Sequence, residues 1–185
     1  MKPILFLAGL AALPLAANAA DFDYTYVEGN YVTGDAGPGN ADGLGVKGSY
    51  ALNGKANLVA DYTTQDFGSG VDASTFDIGA GAHWGIKADL DFVGEATWVN
   101  VKTSTPFGSG SDNGLGLAGG LRYRATDKLE LQGMVHYVDV QNSNTSLDLA
   151  GRYYLSKAFS IVGGLLLDNG DTAWNVGVRA GFGRR

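Results

Sequence analysis

The sequence predicts an all-β fold: a closed antiparallel transmembrane β-barrel of about ten strands, with eight as the alternative count. Three observations carry that reading. Apolar and polar residues alternate through nearly the whole chain, as they must in strands with two unlike faces. The alternating runs are roughly 9 to 13 residues long, which suits tilted transmembrane strands better than the shorter strands of a sandwich. Aromatic residues on the apolar parity gather at the strand ends, leaving Ala, Gly, Val, Ile and Leu in the middles.

The pattern is set out between Gly43 and Thr64. Leu44, Val46, Tyr50 and Leu52 share one parity, and Gly45, Lys47, Ser49 and Ala51 the other. Asn53-Gly54 is a hairpin signal, because both residues tolerate positive φ. Leu58, Ala60 and Tyr62 then resume the apolar parity against Val59, Asp61 and Thr63. Upstream, Asp21 to Thr33 is rich in aromatic and β-branched residues and reads as a strand. Its parity changes between Tyr26 and Val27, so a bulge near Glu28-Gly29 is expected. A polar loop at Gly34 to Gly43 and another near Phe67 to Ala73 flank the first hairpin.

Phe76, Ile78, Ala80, Ala82, Trp84 and Ile86 form the clearest apolar face, and a turn at Lys87 to Asp89 leads to Leu90, Phe92, Gly94, Ala96 and Trp98. A loop is expected from Ser104 to Gly114, then a strand through Leu115 and Tyr123. A short turn at Ala125 to Lys128 introduces a strand carrying Leu129 to Tyr137. The polar run Gln141 to Ser146 reads as a loop. Strands through Leu147 to Leu155, Phe159 to Leu167 and Trp174 to Phe182 complete the set.

Residues 1–19 read as a cleaved signal peptide, with 20–185 forming the barrel. Met1-Lys2 gives a positive start, Ile4 to Ala17 an apolar run broken by Pro14, and Ala17-Asn18-Ala19 a small-residue cleavage site. The run is too short for a transmembrane helix. The chain has no cysteine, which excludes disulfides, a thiol nucleophile and a zinc-thiolate site. A formal net charge of −6 argues against nucleic acid as a partner. The 29 glycines follow no collagen period and, within strands, mark bends or close backbone approach.

An apolar outer face and a polar interior explain the distribution of side chains better than the reverse. Tyr62, Phe76, Trp98, Tyr137 and Trp174 fall at loop-side ends, and Tyr50, Trp84, Phe92, Tyr123, Tyr153, Phe159 and Phe182 at turn-side ends. Two aromatic girdles around an aliphatic band characterise an outer-membrane barrel. The opposite parity carries Lys47, Arg122, Arg124, Arg152 and Arg179 against Asp61, Asp77, Glu95, Glu130 and Asp148. Buried charges need partners, so these are expected to form a lumen charge network. An even strand count puts both barrel ends on the periplasmic side, with short turns there.

Tyr24 to Val32 (YTYVEGNYV), Gly43 to Leu52 (GLGVKGSYAL) and Asp77 to Ile86 (DIGAGAHWGI) resemble the small outer-membrane β-barrel proteins of xanthomonad-type Gram-negative bacteria. These are OmpA/OmpX-like barrels once proposed as a trigger of plant immunity. The resemblance covers nearly the whole mature chain and implies a single small barrel in the outer membrane, with no established activity. The chain departs from the usual barrel ending, because Gly183-Arg184-Arg185 follows the terminal aromatic Phe182.

Function then reads as structural or narrow porin-like, with a charge-lined lumen and no cofactor or metal. The expected partners are outer-membrane lipid and lipopolysaccharide, periplasmic chaperones and the barrel-assembly machinery, and the expected state is a monomer. One alternative is an interaction or adhesion protein working through its surface loops, where Phe67 and Phe107 are contact candidates. Another is a membrane-embedded hydrolase. For that chemistry only His83 and His136 are available, and His136 has Asp139 and Ser143 nearby in sequence; a hydrolase needs such groups within hydrogen-bonding reach.

Overall fold

A computed structural model describes residues 22–36 and 39–183. Ten antiparallel strands close into one barrel. They are β1 (Tyr26–Ala36), β2 (Gly39–Ala51), β3 (Ala56–Asp66), β4 (Asp72–Lys87), β5 (Leu90–Thr105), β6 (Gly108–Arg124), β7 (Leu129–Val140), β8 (Asn142–Tyr154), β9 (Phe159–Asp168) and β10 (Asp171–Gly181). Each strand pairs with its sequence neighbours, and β1 pairs with β10 from Tyr26↔Gly181 to Gly34↔Ala173. Closure leaves no sheet edge, a condition for any sheet that crosses hydrocarbon. The predicted signal peptide and the terminal Arg184-Arg185 lie outside the described residues.

The outer face is apolar. Leu44, Val46, Leu58, Ile78, Leu115, Val135, Ile161, Val176 and Val178 are all exposed, an arrangement that costs a soluble protein dearly but suits a lipid solvent. One end of the barrel holds the turns at 52–55, 88–89, 125–128 and 155–158; the other holds the strand extensions and their tips. Three of these four turns share a capping device. Side-chain oxygens of Asn53, Thr126 and Ser156 each accept hydrogen bonds from backbone N–H groups two and three residues on.

Four expectations change. The bulge near Glu28-Gly29 is absent, since β1 keeps unbroken register with both neighbours from Tyr26 to Gly34. A register shift occurs instead between Gly85 and Lys87. Asn53 and Gly54 are not among the positive-φ residues, and the turn is a wider one held by the Asn53 side chain. The predicted loops at Gly34 to Gly43, Ser104 to Gly114 and Gln141 to Ser146 are largely strand, with pairs reaching Ala36↔Gly39, Thr105↔Gly108 and Val140↔Asn142. Strands of up to 17 residues exceed the about 9–11 needed for a crossing, so the hairpins project beyond the apolar band. Finally, Phe22 to Thr25 precede β1 rather than extending it.

Candidate functional site: a lumen in two halves

Inward-facing residues divide into a tightly packed turn-side half and an open loop-side half. At the centre of the packed half is Glu130, 0% exposed. Its Oε1 accepts from Arg122 Nε at 2.8 Å and Arg152 Nη1 at 2.7 Å. Its Oε2 accepts from Arg122 Nη2 at 3.1 Å and the Tyr154 hydroxyl at 2.9 Å. Those four bonds use the capacity of a carboxylate and offset the cost of burying its charge. Strand pairing brings the groups together: Arg124, Glu130 and Arg152 lie opposite one another across β6, β7 and β8. A second buried pair, Arg179 Nε to Glu28 Oε2 at 2.7 Å, joins β10 to β1, and the Arg179 guanidinium lies 3.5 Å over the Tyr26 ring.

The segment before β1 turns into the barrel beneath these arginines. Phe22, Asp23 and Tyr24 are all buried. The Phe22 ring lies 4.8 Å from the guanidinium carbons of both Arg122 and Arg124. Tyr24 stacks on His83 with ring centroids 3.6 Å apart, lies 4.7 Å from the Arg122 guanidinium, and donates its hydroxyl to Asp91 Oδ2 at 2.8 Å. Arg122 Nη2 donates to the Asp23 carbonyl at 3.1 Å. Ser49 Oγ donates to the Tyr24 carbonyl and itself accepts from Asn57 Nδ2. The Asp23 carboxylate accepts from Gly183 N at 3.1 Å, which ties the segment before β1 to the segment after β10. With Val93 and Met134 packed against Phe22 and Tyr24, this half is filled.

The loop-side half encloses a cavity of about 320 Å³. Glu28, Arg152 and Arg179 line its floor, while Lys47, Asp61, Asp77, Glu95, His136 and Asp148 line its walls. Every wall residue is partly exposed, unlike the floor residues, so the cavity opens toward the hairpins. The registers produce one cross-strand row: Arg179, Glu28, Lys47, Asp61 and Asp77 follow one another across β10, β1, β2, β3 and β4. Charge alternates along it until Asp61 meets Asp77, where two carboxylates stand opposite, a destabilising arrangement. Among the described residues, no ion pair within 4 Å joins Lys47, Asp61, Asp77, Glu95 or Asp148. Asn30 also points into this half, opposite Gly45 and Gly177. A Cβ at Gly45 would sit 2.2 Å from Asn30 Oδ1, so glycine is what makes room for that amide.

The structure therefore joins Arg122, Glu130 and Arg152 in one bonded cluster, puts Arg124 beside it, and leaves the wall residues apart. Glu28, Tyr24, Asp91 and Tyr154 complete the packed half; the parity of Asp91 and Tyr154 signalled an inward position, whereas Glu28 fell at the expected bulge. His136 faces the cavity, but Asp139 is exposed on the opposite parity of β7 and pairs across strands with Ser143, so these three side chains do not converge. His83 is buried against Tyr24, with Nδ1 3.9 Å from Asp91 Oδ2.

Tyr62, Trp98, Tyr137 and Trp174 point outward toward the loop side, with Phe76 partly covered and edge-on to Trp98 at 6.4 Å. Tyr50, Trp84, Tyr123, Tyr153, Phe159 and Phe182 point outward at the turn side. Phe92 is half-buried beneath Trp84, with ring centroids 5.8 Å apart.

No family model and no curated protein matches the sequence. Solved structures do. The KdgM porin in complex with disordered oligogalacturonate superposes with a TM-score of 0.52 at 10% identity, covering 85% of this chain and 99% of that one. The KdgM porin by itself gives 0.51 at 11% identity over the same shares. The NanC porin gives 0.49 at 13%, covering 85% of this chain and 100% of that one. The chain has the fold of an outer-membrane β-barrel.

Proposed function

We propose that the protein is an integral outer-membrane barrel with a narrow, porin-like lumen that rests closed at its turn-side end and open at its loop side. The observation that supports this most is the position of Phe22 to Tyr24, buried inside the barrel under the Arg122–Glu130–Arg152 cluster. In this reading the two aromatic bands sit at headgroup level, the turn side faces the periplasm, and the signal peptide directs export. Membership among the xanthomonad-type barrels, resting on the three motifs, belongs to the same proposal. Passage of a solute then requires the pre-β1 segment to withdraw, because its side chains and Arg122 occupy the cross-section.

Conductance of refolded protein in a planar bilayer tests the proposal. Wild type is expected to be silent for most of the record, with rare small steps. The double variant Phe22→Ala/Tyr24→Ala should open far more often, and Arg122→Ala should widen the steps. Heat-modifiable gel mobility checks that each variant still forms a barrel. Folded variants that remain silent would remove the porin-like reading. The favoured alternative would then be interaction through the projecting hairpins, since Phe107 at the tip of β5–β6 is 99% exposed.

A further inference from the structure

Several residues that line the cavity carry buried polar atoms with no partner in the protein. On its floor, Arg152 Nε and Arg179 Nη2 have no hydrogen-bond acceptor within the protein, and their residues are 5% and 3% exposed. On its walls, Asp77 Oδ1, Asn30 Oδ1 and His136 Nε2 likewise have no protein partner. A buried donor or acceptor without a partner is costly, and such groups in native proteins call for an explanation. Here the unpaired arginine donors and the unpaired Asp77 oxygen sit apart, while the Asn30 oxygen, on β1, lies beside the strand that carries Arg179. Arg179 on β10 and Asp77 on β4 are four strands from each other in a ring of ten, close to opposite sides of the lumen.

The charges are disposed in the same sense. Glu130 engages Arg152 through Nη1 and Glu28 engages Arg179 through Nε, leaving Arg152 Nε and Arg179 Nη2 without an acceptor. Lys47 is the cation of the walls and lies in the field of Glu95, Asp61 and Asp148. Asp77 is left opposite Asp61, a like charge. An ammonium group would relieve that repulsion, and a carboxylate would take up the arginine donors in charge-assisted hydrogen bonds.

We propose that the loop-side cavity is a binding site for a small zwitterion, an amino acid or short peptide, held by its ammonium at Asp77 and Asp61 and by its carboxylate at Arg179 and Arg152. The site rests on the outward-open lumen described under the proposed function and names what that lumen admits. An anion alone leaves the Asp61–Asp77 pair unrelieved, and a cation alone leaves the arginine N–H groups unused. An extended tripeptide is about 10 Å long, so its two charged ends are well separated, as the floor arginines on β8 and β10 and the wall aspartates on β3 and β4 are.

Isothermal titration of the refolded full-length barrel in detergent micelles tests it, with triglycine, N-acetyl-triglycine and triglycine amide as matched probes. Triglycine is expected to bind at least about tenfold more tightly than either blocked peptide. Asp77→Asn should bring triglycine down to the level of N-acetyl-triglycine while leaving binding of the acetylated peptide unchanged. Arg179→Lys, which keeps a cation beside Glu28 but removes Nη2, should weaken triglycine and N-acetyl-triglycine and spare the amide. Equal binding of all three probes, preference for a blocked one, absence of binding, or indifference to Asp77→Asn would each overturn the site. Because titration reads the closed barrel, binding without conductance would overturn the porin reading alone. Conductance without binding would overturn this site alone.

Discussion

The two halves of the lumen are built from the same residue types and solve opposite problems. In the turn-side half, Glu130 has four donors and is fully buried. In the loop-side half, Asp77 faces another aspartate and has an unpaired oxygen. A carboxylate enclosed by two arginines and a tyrosine contributes to holding the barrel, since removing it strands two buried cations. A carboxylate opposing a carboxylate weakens the barrel at rest and leaves hydrogen-bonding capacity unused. The comparison shows that the parity of a charged residue in a barrel strand does not by itself give its role. Its height along the strand decides.

The same chemical change at the two heights should therefore have opposite sign. Glu130→Gln leaves Arg122 and Arg152 without their counterion and should destabilise the barrel by about 3–5 kcal/mol. Urea unfolding in lipid vesicles, followed by tryptophan fluorescence, checks this; a loss below about 1 kcal/mol would mean that the cluster relaxes, and the contrast would fail. Tyr24→Phe keeps the stack on His83 but removes the hydroxyl that donates to Asp91. The same assay should show a loss of about 1.5–3 kcal/mol, the range for a hydrogen bond to a charged group. Asp77→Asn removes one of two facing charges and should raise stability by about 0.2–1 kcal/mol. A destabilisation there comparable with that of Glu130→Gln would erase the distinction between the halves.

Much of this fold is legible in local sequence, because a barrel strand writes its two environments into alternate residues. The inward set Lys47, Asp61, Asp77, Arg122, Glu130, Arg152 and Arg179 follows from period-two parity. The hairpin extensions do not, since Gly108 to Gly114 and Asn142 to Ser146 have the composition of loops. They are strand because Val99 to Thr105 and His136 to Val140 supply cross-strand partners, and pairing is a property of two segments rather than one. Asp21 to Tyr26 misleads for the converse reason. Its aromatics have the composition of a strand, yet Phe22 and Tyr24 are drawn into the lumen by guanidinium planes on β6. Nothing local distinguishes an aromatic seated on a distant arginine from one seated in lipid. Val27 and Tyr31 were the true outward set of β1, and the apparent change of parity came from those inward rings.

The bond between Asp23 and Gly183 joins residues 160 apart in sequence, that between Glu28 and Arg179 residues 151 apart, and that between Asp23 and Arg122 residues 99 apart. Contacts of such separation carry the largest loop-closure cost and form late. Hairpins, by contrast, join near neighbours and can assemble one after another. The pre-β1 segment and the β1–β10 seam therefore share a timetable: the bond from Asp23 to Gly183 cannot form until the final strand has arrived. Completing the ring is the event that fixes the pre-β1 segment in the lumen.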